Sequence, residues 1–459
     1  MRIRTLLSAL AGAAMAALLH GAPALLVRNG LLMTMEPGQE TPFIGYMVVD
    51  DDGRISALGA GDPPTGAAAP RTVDATGRFV VPGFISAHSH IWQSAFRGLA
   101  ADQYVRGWVD VVYRQRAMLA SPEDFYWFTL HGSLDHLRHG ITSAFNFTYG
   151  NRDGYAEQQW RAELDSGIRF VHGYQRRRDA PESQAREALA AFMAAARPDF
   201  SRPTFLRMAL SGTATSEESV AIDARLMKEF GLANQTHYLE FPLNKEEQRA
   251  NFRFIAAAGL LGPDFYFGHF IHTDETMLKA VAAARSGMSW NPLSNGRLAS
   301  GIADIPRYLT LGVKVGMGVD GQASADLPDP FENMRMGLYM IRAKYESALV
   351  MQPYDVLRLH TLGSAQVMGV EDRVGTLKVG KFGDFLLVDP ASVDRAPVDD
   401  AYATLVFACN AQNLDRVFVG GVLTSESSRL VNHDFARAQR EVRERVEEVR
   451  RRARALASP

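Results

Sequence analysis

The chain has 459 residues, a net charge of −2, and 47% hydrophobic against 22% charged residues. That balance fits a soluble globular protein with a sizeable core, and it excludes a nucleic-acid or membrane-surface partner held by bulk charge. The single cysteine, Cys409, allows neither an internal disulfide nor a thiolate zinc cluster, so a metal site must draw on the 12 histidines and the carboxylates.

In chain order, residues 1–24 stand apart. Arg2 and Arg4 precede an uncharged Ala- and Leu-rich run from Leu6 to Leu19, and Ala22-Pro23-Ala24 supplies small residues for cleavage. This is the layout of a secretory signal peptide, too short to span a bilayer. It predicts a mature chain starting near Leu25 in the periplasm or secreted medium. The alternative is an N-terminal extension from a misplaced start, with a cytoplasmic enzyme. No later segment reads as membrane-spanning.

Residues 25–49 alternate like a short antiparallel unit, with Asp51-Asp52-Gly53 as a turn. Apolar β-rich runs follow at 79–90, 141–147, 168–174, 205–211, 235–240, 265–272, 288–291 and 313–320. Helical stretches separate them, such as 122–138, 217–230 and 274–285. Eight strands alternating with helices predict an α/β fold, a (β/α)8 TIM-like barrel over 79–369. Beyond Gly369 short β units return. Residues 25–78 and 370–434 are expected to form one small β-sandwich built from both ends of the chain. Residues 435–459 read as a charged helix with Arg and Glu interleaved, most simply a solvated face.

In such a barrel, functional residues sit at the carboxyl ends of the strands. His88 and His90 end the first strand, and their i, i+2 spacing puts both on one face. His237 lies on the fifth strand with Glu240 three residues on, His269 on the sixth, and Asp320 ends the eighth. Three imidazoles and one carboxylate suit zinc or ferrous iron, with a position left for water. Taken singly, His237 reads as a core histidine and Asp320 as a helix cap; their coincidence at strand ends points to a metal hydrolase.

With these residues in place, the sequence resembles the amidohydrolase superfamily, in the branch of adenosylhomocysteine and methylthioadenosine deaminases, s-triazine hydrolases and cytosine-deaminase-like enzymes. The resemblance covers residues 25–434. It is carried by Val81-Pro82-Gly83-Phe84, His88-Ser89-His90, Arg97-Gly98, His139-Gly140-Ile141-Thr142, His237-x-x-Glu240, His269-x-x-His272, Asn291-Pro292-x-Ser294-Asn295, Gly318-x-Asp320-Gly321 and the glycine-rich 375–384 segment ending in Asp384. It implies that His88, His90, His237 and Asp320 hold one divalent metal, zinc foremost and iron second. It also implies that Asp320 accepts a proton from water, that Glu240 is the acid/base carboxylate, and that His269 orients water or polarises the attacked group. The strand at 205–211 has no Lys for a bridging carbamate, which fits a single metal.

The substrate end departs from the adenosine-type deaminases. Ser211-Gly212-Thr213-Ala214 replaces their Gly-Pro-His-x-Pro stretch, Ala117 stands where they carry a ribose-binding carboxylate, and Trp290 replaces a His on strand seven. Trp92, Gln93, Trp108, Phe147, Tyr149 and Trp290 fall near strand ends, where they either sandwich a planar ring or pack as core. Within Arg176-Arg177-Arg178, one arginine, Arg176 foremost, is a candidate for a substrate carboxylate; the alternative is a solvated charge run. The expected activity is hydrolysis of a C–N bond in a small planar substrate, by deamination of an aromatic heterocycle or by amide or carbamate cleavage. The alternatives are a triazine-type dehalogenase or aminohydrolase and a non-catalytic binding protein. A homo-oligomer is compatible with the fold, though no residues point to it.

Overall fold

The computed structural model describes residues 21–150, 153–199, 201–391 and 398–457. Most of the expected signal segment, residues 1–20, lies outside the described residues.

Both ends of the chain build one sheet. Its early strands are β1 (Pro23–Leu32), β2 (Phe43–Asp50), β3 (Ile55–Ala60), β4 (Arg71–Asp74) and β5 (Phe79–Pro82). The barrel strands follow: β6 (Phe84–His90), β7 (Ile141–Phe147), β8 (Arg169–Tyr174), β9 (Phe205–Gly212), β10 (Ala233–Tyr238), β11 (Phe265–His269), β12 (Gly287–Trp290), β13 (Lys314–Met317) and β14 (Asp320–Gly321). The chain then returns to the first sheet with β15 (Phe385–Val388), β16 (Leu414–Val419), β17 (Val422–Glu426) and β18 (Arg429–Leu430). The order in that sheet is β18-β17-β16-β15-β5-β1-β2-β3, with β4 against β1. Leu25, Val27, Met47, Val49, Phe385 and Phe418 share its buried core.

The run expected at 79–90 as one barrel strand is two strands. The β5 half pairs with β15, and the β6 half enters the barrel beside β7. The switch is at Gly83. Its N–H donates to Asp384 O at 3.0 Å while the next N–H, of Phe84, donates to Gly140 O at 3.0 Å. A Cβ at Gly83 would sit 2.1 Å from Thr142 Oγ1, so only glycine permits this crossover. A buried ion pair ties the same two bodies: Arg169 on β8 donates through Nε to Asp384 at 2.6 Å and through Nη2 at 2.9 Å.

The barrel strands pair in parallel, in the order β13-β12-β11-β10-β9-β8-β7-β6-β14. β13 and β14 are halves of one interrupted strand. The first half pairs with β12, and the second meets β6 through Asp320↔Ser89 and Gly321↔His90, which closes the ring. This closure places Asp320 beside the histidines of the first barrel strand.

Helices Pro122–Arg138 and Glu217–Phe230 occupy their predicted spans. Both start where sequence chemistry directs: Ser121 and Asp124 form a reciprocal capping box, and Ser216 accepts from Ser219 N–H. The C-terminal helix, Phe435–Ala457, is more than a solvated face. Ala438, Val442 and Val449 are buried, and Arg445 donates to Asp124 at 2.9 Å on the helix Pro122–Arg138. The apolar positions recur at helical spacing beneath the charges, a stripe that interleaved Arg and Glu conceal on a first reading.

Three buried histidines on helical segments should make stability pH-dependent. Burial pushes His131, His136 and His360 down to about 4. His360 illustrates why: Nδ1 donates to Ile85 O at 3.1 Å and Nε2 accepts from Asn333 at 3.1 Å, a fully used neutral ring. The unfolded chain binds protons to these groups from about pH 6.5 downward, the folded chain only near 4, so stability falls as pH drops across that window, by at most about 3 kcal/mol for each ring. Thermal melts should shift steadily downward from pH 7 to pH 4.5. An unchanged midpoint over that range would show that these rings accept protons in the folded state.

Candidate active site

Four strand ends supply the site. β6 carries His88 and His90, β10 carries His237, β11 ends in His269, and β14 begins with Asp320. The candidate ligand atoms of His88, His90 and Asp320 lie within 4.8 Å of one another, as do those of His88, His237 and His269. His88 Nε2 is 3.3 Å and His90 Nε2 3.5 Å from Asp320 Oδ1, and His90 Nε2 is 3.0 Å from His237 Nε2.

The hydrogen bonds around His88 test whether these residues fit a cation. Gln235 on β10 donates its amide to Ala87 O at 2.8 Å, which leaves Oε1 to accept from His88 Nδ1 at 2.6 Å. His88 Nδ1 therefore carries the proton, and Nε2 presents a lone pair. That atom is buried without a hydrogen-bond partner among the described residues and faces a carboxylate oxygen. Two electron-rich atoms held together away from water are unfavourable unless a positive ion lies between them. The donor set therefore fits a divalent metal. Burial keeps His90 and His269 neutral, each brought down to about 3, and lowers His237 well below its ordinary value. Neutral imidazole is the metal-binding form.

His269 and Asp320 both have left-handed backbones, with φ of 69° and 56°. For residues with a side chain this conformation costs of order 1–3 kcal/mol, and it aims both groups into the barrel mouth. Asn295 and Asn291 donate to His269 Nδ1 at 2.8 and 3.3 Å, so its Nε2 carries the proton. That nitrogen lies 3.7 Å from Glu240 Oε2 and 3.9 Å from Asp320 Oδ2. Burial pushes the Glu240 carboxyl well above the usual range, and the Asp320 charge adds to the shift. The site thus brings together a metal-binding cluster, an imidazole N–H and a carboxylic acid. His272, the second histidine of its motif, turns away and meets Ser300 O at 2.7 Å.

Above these groups lies a cavity of about 570 Å³, a size suited to one small molecule. Trp108, Tyr113, Phe147 and Tyr149 supply its aromatic lining, with Arg178 at the rim. Gly212, Thr213 and Ala214 form part of the wall, while Ala117 is in the core and only its neighbour Met118 reaches the cavity.

The structure sorts the sequence-derived substrate candidates. Trp108 lines the cavity and anchors itself by donating Nε1–H to Ala323 O at 2.7 Å. Trp290, Trp92 and Gln93 do not line it. On β12 the inward positions are Ser289 and Asn291, so the alternation sends Trp290 outward against the helix Pro330–Tyr345, where a Cβ on Gly337 would lie 2.5 Å from its ring. Trp92 enters a short 3-10 turn and packs on Phe125 and Tyr149. Gln93 is buried beneath Tyr113. Arg176 borders the cavity, but its guanidinium is committed to Asp223 at 2.6 Å and Ser219 Oγ at 3.0 Å. Of the two exposed arginines that follow it, Arg178 reaches the rim, whereas Arg177 pairs with Asp179.

Sequence reasoning missed Gln235 and Tyr113. Gln235 was detectable, since it precedes His237 by two residues on one strand and shares its face. Tyr113 lies on a short helical turn, Asp110–Arg114, in a stretch where the sequence showed no strand end or motif, and it gave no signal.

A family model described as the amidohydrolase family matches residues 79–424. The chain belongs to that family. A 5-methylthioadenosine/S-adenosylhomocysteine deaminase from Desulforudis audaxviator is 30% identical over 93% of this chain and 100% of its own length. Two solved structures share the fold. An adenosine deaminase from Xanthomonas campestris with bound zinc has a TM-score of 0.84 at 22% identity, covering 94% of this chain and 99% of that one. An atrazine chlorohydrolase from Arthrobacter aurescens TC1, complexed with zinc and atraton, has a TM-score of 0.82 at 21% identity, covering 92% and 100%. This amidohydrolase is a metal-dependent hydrolase of carbon–nitrogen bonds that acts on a small-molecule substrate. Among its described residues, no helix is long and apolar enough to cross a membrane.

Proposed function

We propose that the protein is a mononuclear zinc aminohydrolase that deaminates a planar heteroaromatic amine lacking a ribose. The observation that carries this reading is Glu240: a largely enclosed carboxyl on the cavity wall, 3.7 Å from His269 Nε2 and adjoining the metal-binding cluster, beneath aromatic walls. His88, His90, His237 and Asp320 would hold the metal, and three imidazoles with one carboxylate suit zinc. When bound, the ion supplies Lewis acidity and a water acidic enough to lose its proton near neutral pH.

The remaining chemistry falls to the chain. Asp320 offers a carboxylate oxygen to take the proton from water. Glu240, kept protonated, donates to a ring nitrogen as the ring loses aromaticity; the proton that Asp320 took from water then goes to the departing amine, and the carboxylate left on Glu240 recovers a proton from the new hydroxyl as the carbonyl forms. The His269 N–H, fixed by Asn291 and Asn295, points at the charge that develops on the attacked centre. Trp108, Phe147 and Tyr149 provide flat apolar surface for the ring. The relatives named as deaminases support the reaction type. Gly212-Thr213-Ala214 in the wall and Ala117 outside it argue for a ring without a sugar.

Ammonia release by zinc-loaded enzyme should be measured on free aminopurines, aminopyrimidines and amino-s-triazines, on adenosine-type nucleosides, and on aryl amides and carbamates. Release from the free rings above that from nucleosides is expected. Turnover confined to nucleosides sinks the ring-only reading, and turnover confined to amides or carbamates, or release of chloride or alkylamine alone, sinks deamination. The N-terminal pattern further supports export, testable as a mature N-terminus near Leu25 in a periplasmic fraction; an intact Met1 in the cytoplasm would refute it.

A further inference from the structure

We infer that Tyr113 is a substrate-orienting residue, its hydroxyl held by Gln93 to make a hydrogen bond to a heteroatom on the ring edge remote from Glu240. The inference rests on the proposed heteroaromatic substrate and specifies how its ring is oriented.

Tyr113 lines the cavity together with His90, His237, Glu240, His269 and Asp320. Its segment follows β6, whereas Glu240 follows β10; in the closed ring these strands lie on opposite sides of the barrel. A ring lying between them meets a carboxylic acid at one edge and a phenol at the other. The Tyr113 ring is clamped by aromatic contacts with Trp92 at 5.1 Å, Trp108 at 5.7 Å and Tyr149 at 5.8 Å. These contacts use the apolar body of the side chain and leave its hydroxyl as the polar handle.

The hydroxyl has one hydrogen-bond partner among the described residues, the Gln93 side-chain amide at 3.2 Å. A hydroxyl can donate once and accept twice, so one protein partner leaves capacity for a ligand. Burial, with the Asp320 charge second, raises the phenol above its ordinary range, so it remains a donor at any working pH.

Gln93 is itself unusual. Its side chain is fully buried, and its Oε1 has no hydrogen-bond partner among the described residues. Burying an amide with half its capacity unused is unfavourable by about 1–3 kcal/mol, which a purely structural position would avoid with an apolar residue. The space for it is made by Gly321, the residue after Asp320: a Cβ there would lie 1.8 Å from Gln93 Oε1. Gln93 is therefore wedged between the strand that presents Asp320 and the Tyr113 side chain on the cavity wall. It acts as a positioning residue for Tyr113 and fixes the distance between metal cluster and ring edge.

The test uses the zinc-loaded full chain and its Tyr113→Phe, Gln93→Leu and double variants. Calorimetric titration with uracil, hypoxanthine and cyanuric acid, planar lactam rings of the product class, reads the contact without turnover. Tyr113→Phe should weaken Kd roughly 5–30-fold, the worth of one buried hydrogen bond, at unchanged zinc content. Gln93→Leu should weaken binding in the wild-type background and add nothing when Tyr113 is already Phe. The inference is overturned if Tyr113→Phe binds these rings as the wild type does, if the wild type binds none of them, or if Gln93→Leu costs as much in the double variant. Ring binding that depends on Tyr113, with no ammonia released from any amine, would overturn deamination and leave the orienting role standing.

Discussion

His237→Ala is expected to leave the protein folded and without its metal. His237 sits at the centre of the cluster, its Nε2 3.0 Å from that of His90, its ring packed on Phe147 at 4.4 Å between centroids. Alanine removes one of four donors and leaves His88, His90 and Asp320, a set in which a mobile water replaces a fixed imidazole and which holds the ion less tightly. The loss in affinity should exceed the roughly 10–100-fold that follows removal of an outer hydrogen bond to a ligand. Gln235→Ala supplies that comparison, because it removes only the acceptor that fixes the His88 proton on Nδ1. Elemental analysis after dialysis should find about one zinc per chain in the wild type, less in Gln235→Ala at limiting zinc, and almost none in His237→Ala. Stoichiometric zinc in His237→Ala would remove it from the ligand set.

Glu240→Gln is expected to behave in the opposite way, keeping zinc and losing turnover. Glutamine preserves size and most hydrogen bonding but cannot give up a proton. Among the described residues, Glu240 approaches the cluster through His269 at 3.7 Å and is not itself one of the candidate ligands, so metal content should be unaffected. A positioned acid/base contributes about 10²–10⁴-fold, and kcat should fall by that amount with ring binding retained. Wild-type turnover in this variant would falsify the acid/base assignment. The two variants together separate the residues that hold the ion from the residue that moves the proton.

The metal end of the cavity was legible because it is written in local pattern. His88 and His90 share a face by alternation, His237, His269 and Asp320 fall at strand ends, and barrels place chemistry there. The cap at Ser121 and the span of its helix were legible for the same reason. The substrate end was not, because it depends on where the chain turns after each strand. Trp92 and Gln93 follow the metal histidines directly, yet a single 3-10 turn carries both behind the wall. Trp290 is on a strand end like the ligands, but on the outward phase of the alternation.

By itself, the sequence of this chain determined the candidate ligands at the strand ends and the barrel, since spacing and alternation within single segments point to both, and its late β units pointed to the return of the C-terminal strands to the N-terminal ones. Only the tertiary structure decided which side chains see a substrate. It committed Arg176 to Asp223 and brought Arg178 to the rim, it broke one apparent strand at Gly83 to serve two sheets, and it brought Tyr113 over the cavity with Gln93 beneath it. Each of those outcomes is set by a partner distant in sequence, by buried charges that must pair, polar groups that must be satisfied and volumes that must be filled, and none of these is visible within a single segment.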